Sequence, residues 1–225
     1  MSLRTAVPAL SLLIGNKNYS SWSLRPWLLL KQSGLEFEEL RVMFHSADFA
    51  PRVRAFSPAG KVPALRHGAI SVWDSLAICE YLNEAFPEQR FWPHAPDERA
   101  LARAISAEMH SGFMALRGQM PMNVRAVGRR VKSTPELEAD IARIAAIWRD
   151  CRARSAARGP FLFGAFSIAD AMYAPVAFRF ATYGVALGPV EAAYGESLRR
   201  LPALTEWAAA SAAEIEVEAG SEVGR

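Results

Sequence analysis

Residues 15–28 read Gly-Asn-Lys-Asn-Tyr-Ser-Ser-Trp-Ser-Leu-Arg-Pro-Trp-Leu. The apolar run before them, residues 10–14 (Leu-Ser-Leu-Leu-Ile), predicts a short strand, and Leu24, Trp27, Leu28 and Lys31 after them fall on adjoining turns of a helix that stops at Gly34. The order is therefore strand, polar turn, helix. Ser20 and Ser21 stand at the helix N-terminus, where unpaired backbone N–H groups and the positive end of the helix dipole favour an anion. A serine at such a place also serves as a plain N-cap, and the stretch alone leaves both readings open.

Downstream, Glu38–Phe44 reads as a second strand and His45–Ser57 as an exposed loop with a short helix. Val62–Arg66 and Ile70–Trp73 flank the turn His67-Gly68 as an antiparallel hairpin. Asp74 or Ser75 then caps an apolar-periodic helix through Leu76, Ile78, Cys79, Tyr81 and Leu82. This first third reads βαβ, then ββα. Pro63 stands where a strand should begin, after a Gly60-Lys61 turn, which turns the Val62 backbone outward and leaves it available to a ligand. The Asp74-Ser75 pair offers a carboxylate and a hydroxyl at a second helix N-terminus, suited to a ligand carrying both an ammonium and a carboxylate, or else to capping.

Composition changes after Phe86-Pro87, where Pro87, Pro93 and Pro96 bracket Phe91 and Trp92 as a linker. From Asp97 onward the pattern is helical: an Ala-rich run to about Met120, Thr134–Ala157, Ser167 to about Thr182, and a last helix after Pro202. Phe166-Ser167-Ile168-Ala169-Asp170 reads as a structural capping box opening a core helix. The polar tail after about Ala213 reads as poorly ordered.

A chain of 225 residues suffices for one large domain or two small ones. The net charge of +3 is mild, and Arg149, Arg152, Arg154 and Arg158 have helical spacing among alanines, which predicts a solvated face and no nucleic-acid partner. The first residues lack a basic segment followed by a long apolar core, and no run reaches membrane-spanning length, so the expectation is a cytoplasmic protein without a membrane partner. Cys79 and Cys151 are far apart, which argues against a disulfide framework, a structural zinc site and dithiol chemistry. Met109, His110, Phe113, Met114, Arg117, Met120 and Met122 cluster at helical spacing, a pattern more often of a core than of a pocket, although an inward Arg117 or Arg125 would suit an acidic substrate.

Together these stretches resemble the glutathione transferase superfamily. Ser20-Ser21-Trp22-Ser23-Leu24-Arg25 resembles the first-helix signature of its serine-type classes, nearest the zeta class, with Trp22 where that class has cysteine. Ser57-Pro58-Ala59-Gly60-Lys61-Val62-Pro63-Ala64-Leu65 resembles the stretch that carries the family's cis-proline, and Trp73-Asp74-Ser75-Leu76-Ala77-Ile78-Cys79-Glu80-Tyr81-Leu82 resembles its Glu-Ser-x-Ala-Ile-x-x-Tyr-Leu motif. Gly164–Asp170 looks like the capping motif of its C-terminal domain.

The resemblance implies an α+β, two-domain chain: a thioredoxin-like N-terminal domain over 1–88 and an all-α C-terminal domain over 96–225, paired as a homodimer. It implies glutathione as co-substrate and no metal. Ser20 is the hydroxyl donor to the sulfur because Arg25 then aligns with the family's first-helix arginine; Ser21 comes second and Tyr19 third. Val62 with Pro63 pairs the cysteinyl unit, Asp74 and Ser75 hold the γ-glutamyl end, and Lys61 meets the glycyl carboxylate, with His45 a further candidate for that role. The implied function is detoxifying addition of the glutathione thiolate to small electrophiles. The alternatives are a zeta-like maleylacetoacetate cis–trans isomerase and a non-catalytic interaction protein on the same fold.

Overall fold

In the computed structural model, which describes residues 10–225, the N-terminal elements are β1 (Leu10–Ile14), α1 (Ser21–Ser33), β2 (Glu38–Arg41), α2 (Phe49–Phe56), β3 (Ala64–His67), β4 (Ile70–Trp73) and α3 (Ser75–Ala85). The part of the expected first domain before residue 10 lies outside the described residues. The strands form one sheet in the order β2-β1-β3-β4, with β1 parallel to β2, antiparallel to β3, and β3 antiparallel to β4. Central β1 is buried on both faces over Leu12–Ile14, as that apolar run requires, while Ser11 is half-buried. Leu12 and Ile14 join the main core with α1, whereas Leu13 packs with Val42 and Val53 beneath α2. Strand β2 ends at Arg41, short of Phe44, although Val42 N–H still donates to Ile14 C=O (2.9 Å).

The rest is helical: α4 (Pro96–Ser111), α5 (Met114–Gln119), α6 (Pro135–Ser155), α7 (Ile168–Thr182), α8 (Pro189–Arg199) and α9 (Pro202–Ala212). Helix α7 is buried around its whole circumference as far as Phe180 and is apolar there except for Asp170 and Arg179, and it packs against α1, α4 and α8. Asp170 opens α7 in the expected capping box. Its carboxylate accepts from Leu162 N–H (2.9 Å), Ser167 N–H (2.9 Å) and Tyr194 O–H (3.0 Å). Burial pushes its pKa up to about 6 against the pull of those bonds.

Three sequence expectations need correction. The single run from Asp97 to Met120 is two helices, broken where Gly112 is extended and Phe113 is left-handed at φ 60°. Helix α8 was not expected. The tail after Ala213 is ordered: Glu214 accepts from Lys17 N–H (2.7 Å), Asn18 N–H (3.0 Å) and Arg41 (2.8 Å), and His45 pairs with Glu218. Glu222 accepts from Tyr19 O–H (2.8 Å), Asn123 (2.9 Å) and Arg129 (2.6 Å).

Candidate glutathione site

The turn between β1 and α1 begins at Gly15, where a Cβ would lie 2.6 Å from Phe44 Cζ and 3.3 Å from Ser20 Cβ. A side chain at position 15 would have to displace the Phe44 ring. Beyond it the two serines diverge. Ser20 Oγ donates to Ser23 Oγ (2.7 Å), which also accepts Gly15 N–H (3.1 Å). Ser21 Oγ accepts from Arg179 Nη2 (3.2 Å) on α7. Both residues are buried, and the first-turn amides of Trp22 and Ser23 have no hydrogen-bond partner among the described residues.

A cavity of about 340 Å³ lies beside this turn, lined by Trp22, Ala59, Lys61, Val62, Pro63, Trp73, Asp74, Ser75 and His110. Lys61, Val62, Pro63, Asp74 and Ser75 thus meet around one space. Ser20 and Ser21 are buried and do not line it; the adjoining Trp22 does.

The Val62–Pro63 peptide is cis, β3 begins only at Ala64, and neither the N–H nor the C=O of Val62 is bonded by a described residue. Lys61 is exposed. Asp74 caps α3, its Oδ1 accepting Leu76 N–H (2.9 Å), while its Oδ2 meets His110 Nε2 at 3.2 Å. Ser75 is not the cap. Its hydroxyl, on a residue 1% exposed, has no partner among the described residues, and neither has the buried His110 Nδ1. A polar group buried without a partner costs about 1–3 kcal/mol, which makes these two atoms, facing one cavity, candidates for contact with a ligand. A larger groove of about 650 Å³, between the linker and the α4 N-terminus, has no such orphan atom among the described residues lining it.

Of the other candidates, Tyr19 turns its hydroxyl to Glu222 and Arg125 (2.9 Å) and is held by the tail. Arg125 donates to the Glu214 and Glu216 carbonyls. Arg117 does point inward, its guanidinium carbon 4.5 Å from the Trp22 ring centroid, and it donates to the Gly112 and Met109 carbonyls. Met109, Phe113, Met120 and Met122 are core residues, whereas Met114 is 71% exposed. Both cysteines are buried and their thiols are pushed up by burial, Cys151 to about 11. Arg179 was not singled out from sequence; an arginine inside the apolar run Val176-Ala177-Phe178-Arg179-Phe180 was the signal available. No group of metal-ligating side chains occurs among the described residues, nor does any helix there have the length and apolarity to cross a membrane.

Residues 19–85 match the family described as "Glutathione S-transferase, N-terminal domain", and residues 134–210 match "Glutathione S-transferase, C-terminal domain". The chain is 35% identical over 99 residues to the maleylacetoacetate isomerase of Rattus norvegicus, covering 43% of this chain and 45% of that protein. It is 43% identical over 104 residues to Glutathione S-transferase 1 of Dianthus caryophyllus, covering 46% of each. The chain thus spans about half the length of the curated relatives it matches. Among solved structures, a Burkholderia glutathione transferase homolog with bound glutathione superposes with a TM-score of 0.69 at 23% identity, covering 91% of this chain and 99% of that one. At that identity the likeness concerns the fold: a thioredoxin-like sheet domain followed by a helical region.

Proposed function

This chain belongs to the glutathione S-transferase superfamily, and from that premise we propose that it binds glutathione in the cavity at Val62 and Ser75 and adds the thiolate to a small, largely apolar electrophile. One observation carries the reading: an unpartnered, buried Ser75 hydroxyl and an unbonded Val62 backbone border the same space. The γ-glutamyl carboxylate takes the Ser75 hydroxyl and the α3 N-terminus, its ammonium faces Asp74, the cysteinyl amide pairs with Val62 beside Pro63, and Lys61 meets the glycyl carboxylate. These contacts aim the sulfur at the first turn of α1, where Ser20 or Ser21 donates to it.

A free thiol has a pKa of about 8.5 and is only a few per cent thiolate at neutral pH, so lowering that value by a unit raises the reactive fraction about tenfold. The anion then attacks the electrophile, forming the carbon–sulfur bond as a leaving group departs or a proton is added. The two domains divide near residues 88–96, and the protein works as a cytoplasmic homodimer. Light scattering tests the dimer.

Calorimetry with glutathione, followed by conjugation to a chlorodinitrobenzene acceptor, tests the reading. Binding with turnover supports it; absence of binding at millimolar glutathione refutes it. Binding without turnover of any electrophile leaves the non-catalytic alternative. The inward Arg117 and the likeness to the rat isomerase favour one second reading, reversible thiolate addition to a conjugated diacid such as maleylacetoacetate. Turnover of that compound without consumption of glutathione separates it from transfer.

A further inference from the structure

Three guanidiniums converge behind the first turn of α1. Arg25 on α1 and Arg179 on α7 are 1% and 5% exposed, and Arg117 reaches in from α5. Arg25 donates to Met172 C=O (3.1 Å) and Ser21 C=O (3.1 Å), and Arg179 to Met120 C=O (3.0 Å). Among the described residues none of the three has a carboxylate within ion-pair distance; Asp74 acts on Arg25 and Asp140 on Arg117 only through space. Buried cations are ordinarily paired, because an uncompensated one carries a large desolvation cost. Burial and then mutual repulsion push Arg25 well below its ordinary value and Arg179 down to about 9. What partly stands in for an acid is Trp22: its indole lies 4.4 Å from the Arg25 guanidinium carbon and 4.5 Å from that of Arg117.

This cluster also distinguishes the two serines. A guanidinium has donors and no acceptor, so the Arg179 contact occupies a lone pair of Ser21 Oγ and leaves its proton free. No described residue accepts that proton. Ser20, by contrast, is closed onto Ser23. The free Ser21 proton, the unpaired Trp22 and Ser23 amides and the positive end of α1 belong to one turn, backed by three cations.

We propose that Arg179 is a positioning residue for the thiolate: it holds Ser21 as a pure hydrogen-bond donor and, with Arg25 and Arg117, supplies unpaired positive charge that an anionic sulfur at the first turn of α1 neutralises. The inference rests on glutathione occupying the neighbouring cavity. On ionisation the thiol proton leaves to solvent and the negative charge stays on sulfur.

The test is the pH titration of bound thiolate, followed by its ultraviolet absorbance, alongside calorimetric glutathione affinity in each variant. In Arg179→Met the apparent thiol pKa rises by about one unit, a tenfold loss of thiolate below that pH, while glutathione affinity changes less than threefold. Arg179→Lys keeps the charge and recovers part of the shift. Ser21→Ala raises the pKa similarly, Ser20→Ala does not, and Ser21→Ala with Arg179→Met shifts it by more than either alone but by less than the sum of the two. Should Arg179→Met fail to fold, the Lys variant and the two serine variants decide. Thiolate titrating as in wild type in Arg179→Met, or a shift in Ser20→Ala and none in Ser21→Ala, overturns the inference and leaves the proposed function standing. Wild-type protein that binds no glutathione overturns both.

Discussion

Replacing Ser75 by alanine should move stability and binding in opposite directions. The Ser75 hydroxyl is buried and bonded to no described residue, and α3 is capped by Asp74, so the substitution removes an unsatisfied group without removing a cap. An orphaned hydroxyl costs about 1–3 kcal/mol, and alanine is at least as good a helix former as serine, so taking the low end the free protein gains about 1 kcal/mol. For a chain of this size that corresponds to a Tm higher by about 2–4 °C. Glutathione loses a hydrogen bond to its carboxylate, worth about 1.5–3 kcal/mol, so Kd rises roughly 10- to 100-fold. Scanning calorimetry without ligand and titration calorimetry with it read the two effects separately. A lower Tm with unchanged glutathione affinity would mean that Ser75 serves the helix and not a ligand, and the reasoning would fail.

Asp170→Ala strips the acceptor from Leu162 N–H, Ser167 N–H and Tyr194 O–H in a sealed site, and urea unfolding should show a loss of about 3–5 kcal/mol. Neither cysteine should react with a thiol reagent in the folded protein and both should do so in denaturant; fast labelling of Cys79 would contradict its burial. For Glu222, burial works upward, but the bonds from Arg225, Tyr19, Asn123 and Arg129 prevail and bring its pKa from 4.5 to about 2. A depressed carboxylate pKa stabilises the fold above pH 4.5 and loses that contribution as pH falls towards about 2, so stability of wild type should decline through this window and Glu222→Gln should decline less. Parallel curves would remove Glu222 as the tail's anchor.

Local pattern made much of this legible. The apolar run of β1, the hairpin ending at Trp73 and the capping box at Ser167 are short-range signals, and each formed, although the hairpin starts two residues later than Val62 and turns at Gly68-Ala69, with His67 paired to Ile70 in the ladder. The break at Gly112 was hidden because Met109, Phe113, Leu116 and Met120 keep helical spacing across it and all four are buried. Helix α8 was obscured by Gly195, a poor helix former that lies inside it against Trp148. The tail deceived by composition: its glutamates look solvated until Arg41, Arg125 and Arg129 arrive from distant segments. The same holds at the site. Val62, Asp74 and Ser75 lie on neighbouring elements and their motifs suggested their convergence, whereas the Arg179–Ser21 contact joins residues 158 positions apart and no local pattern encodes it.

The indole of Trp22, wedged between Arg25 and Arg117 with His110 edge-on at 5.2 Å, makes the protein its own optical reporter. Of the six tryptophans, Trp27, Trp148 and Trp207 are sealed from solvent and Trp92 nearly so, leaving Trp22 and Trp73 on the cavity wall. A molecule entering there changes the polarity and quenching around those two chromophores and spares the rest. Intrinsic emission therefore reads occupancy without a label, and Trp22→Phe beside Trp73→Phe tells which end of the cavity was filled.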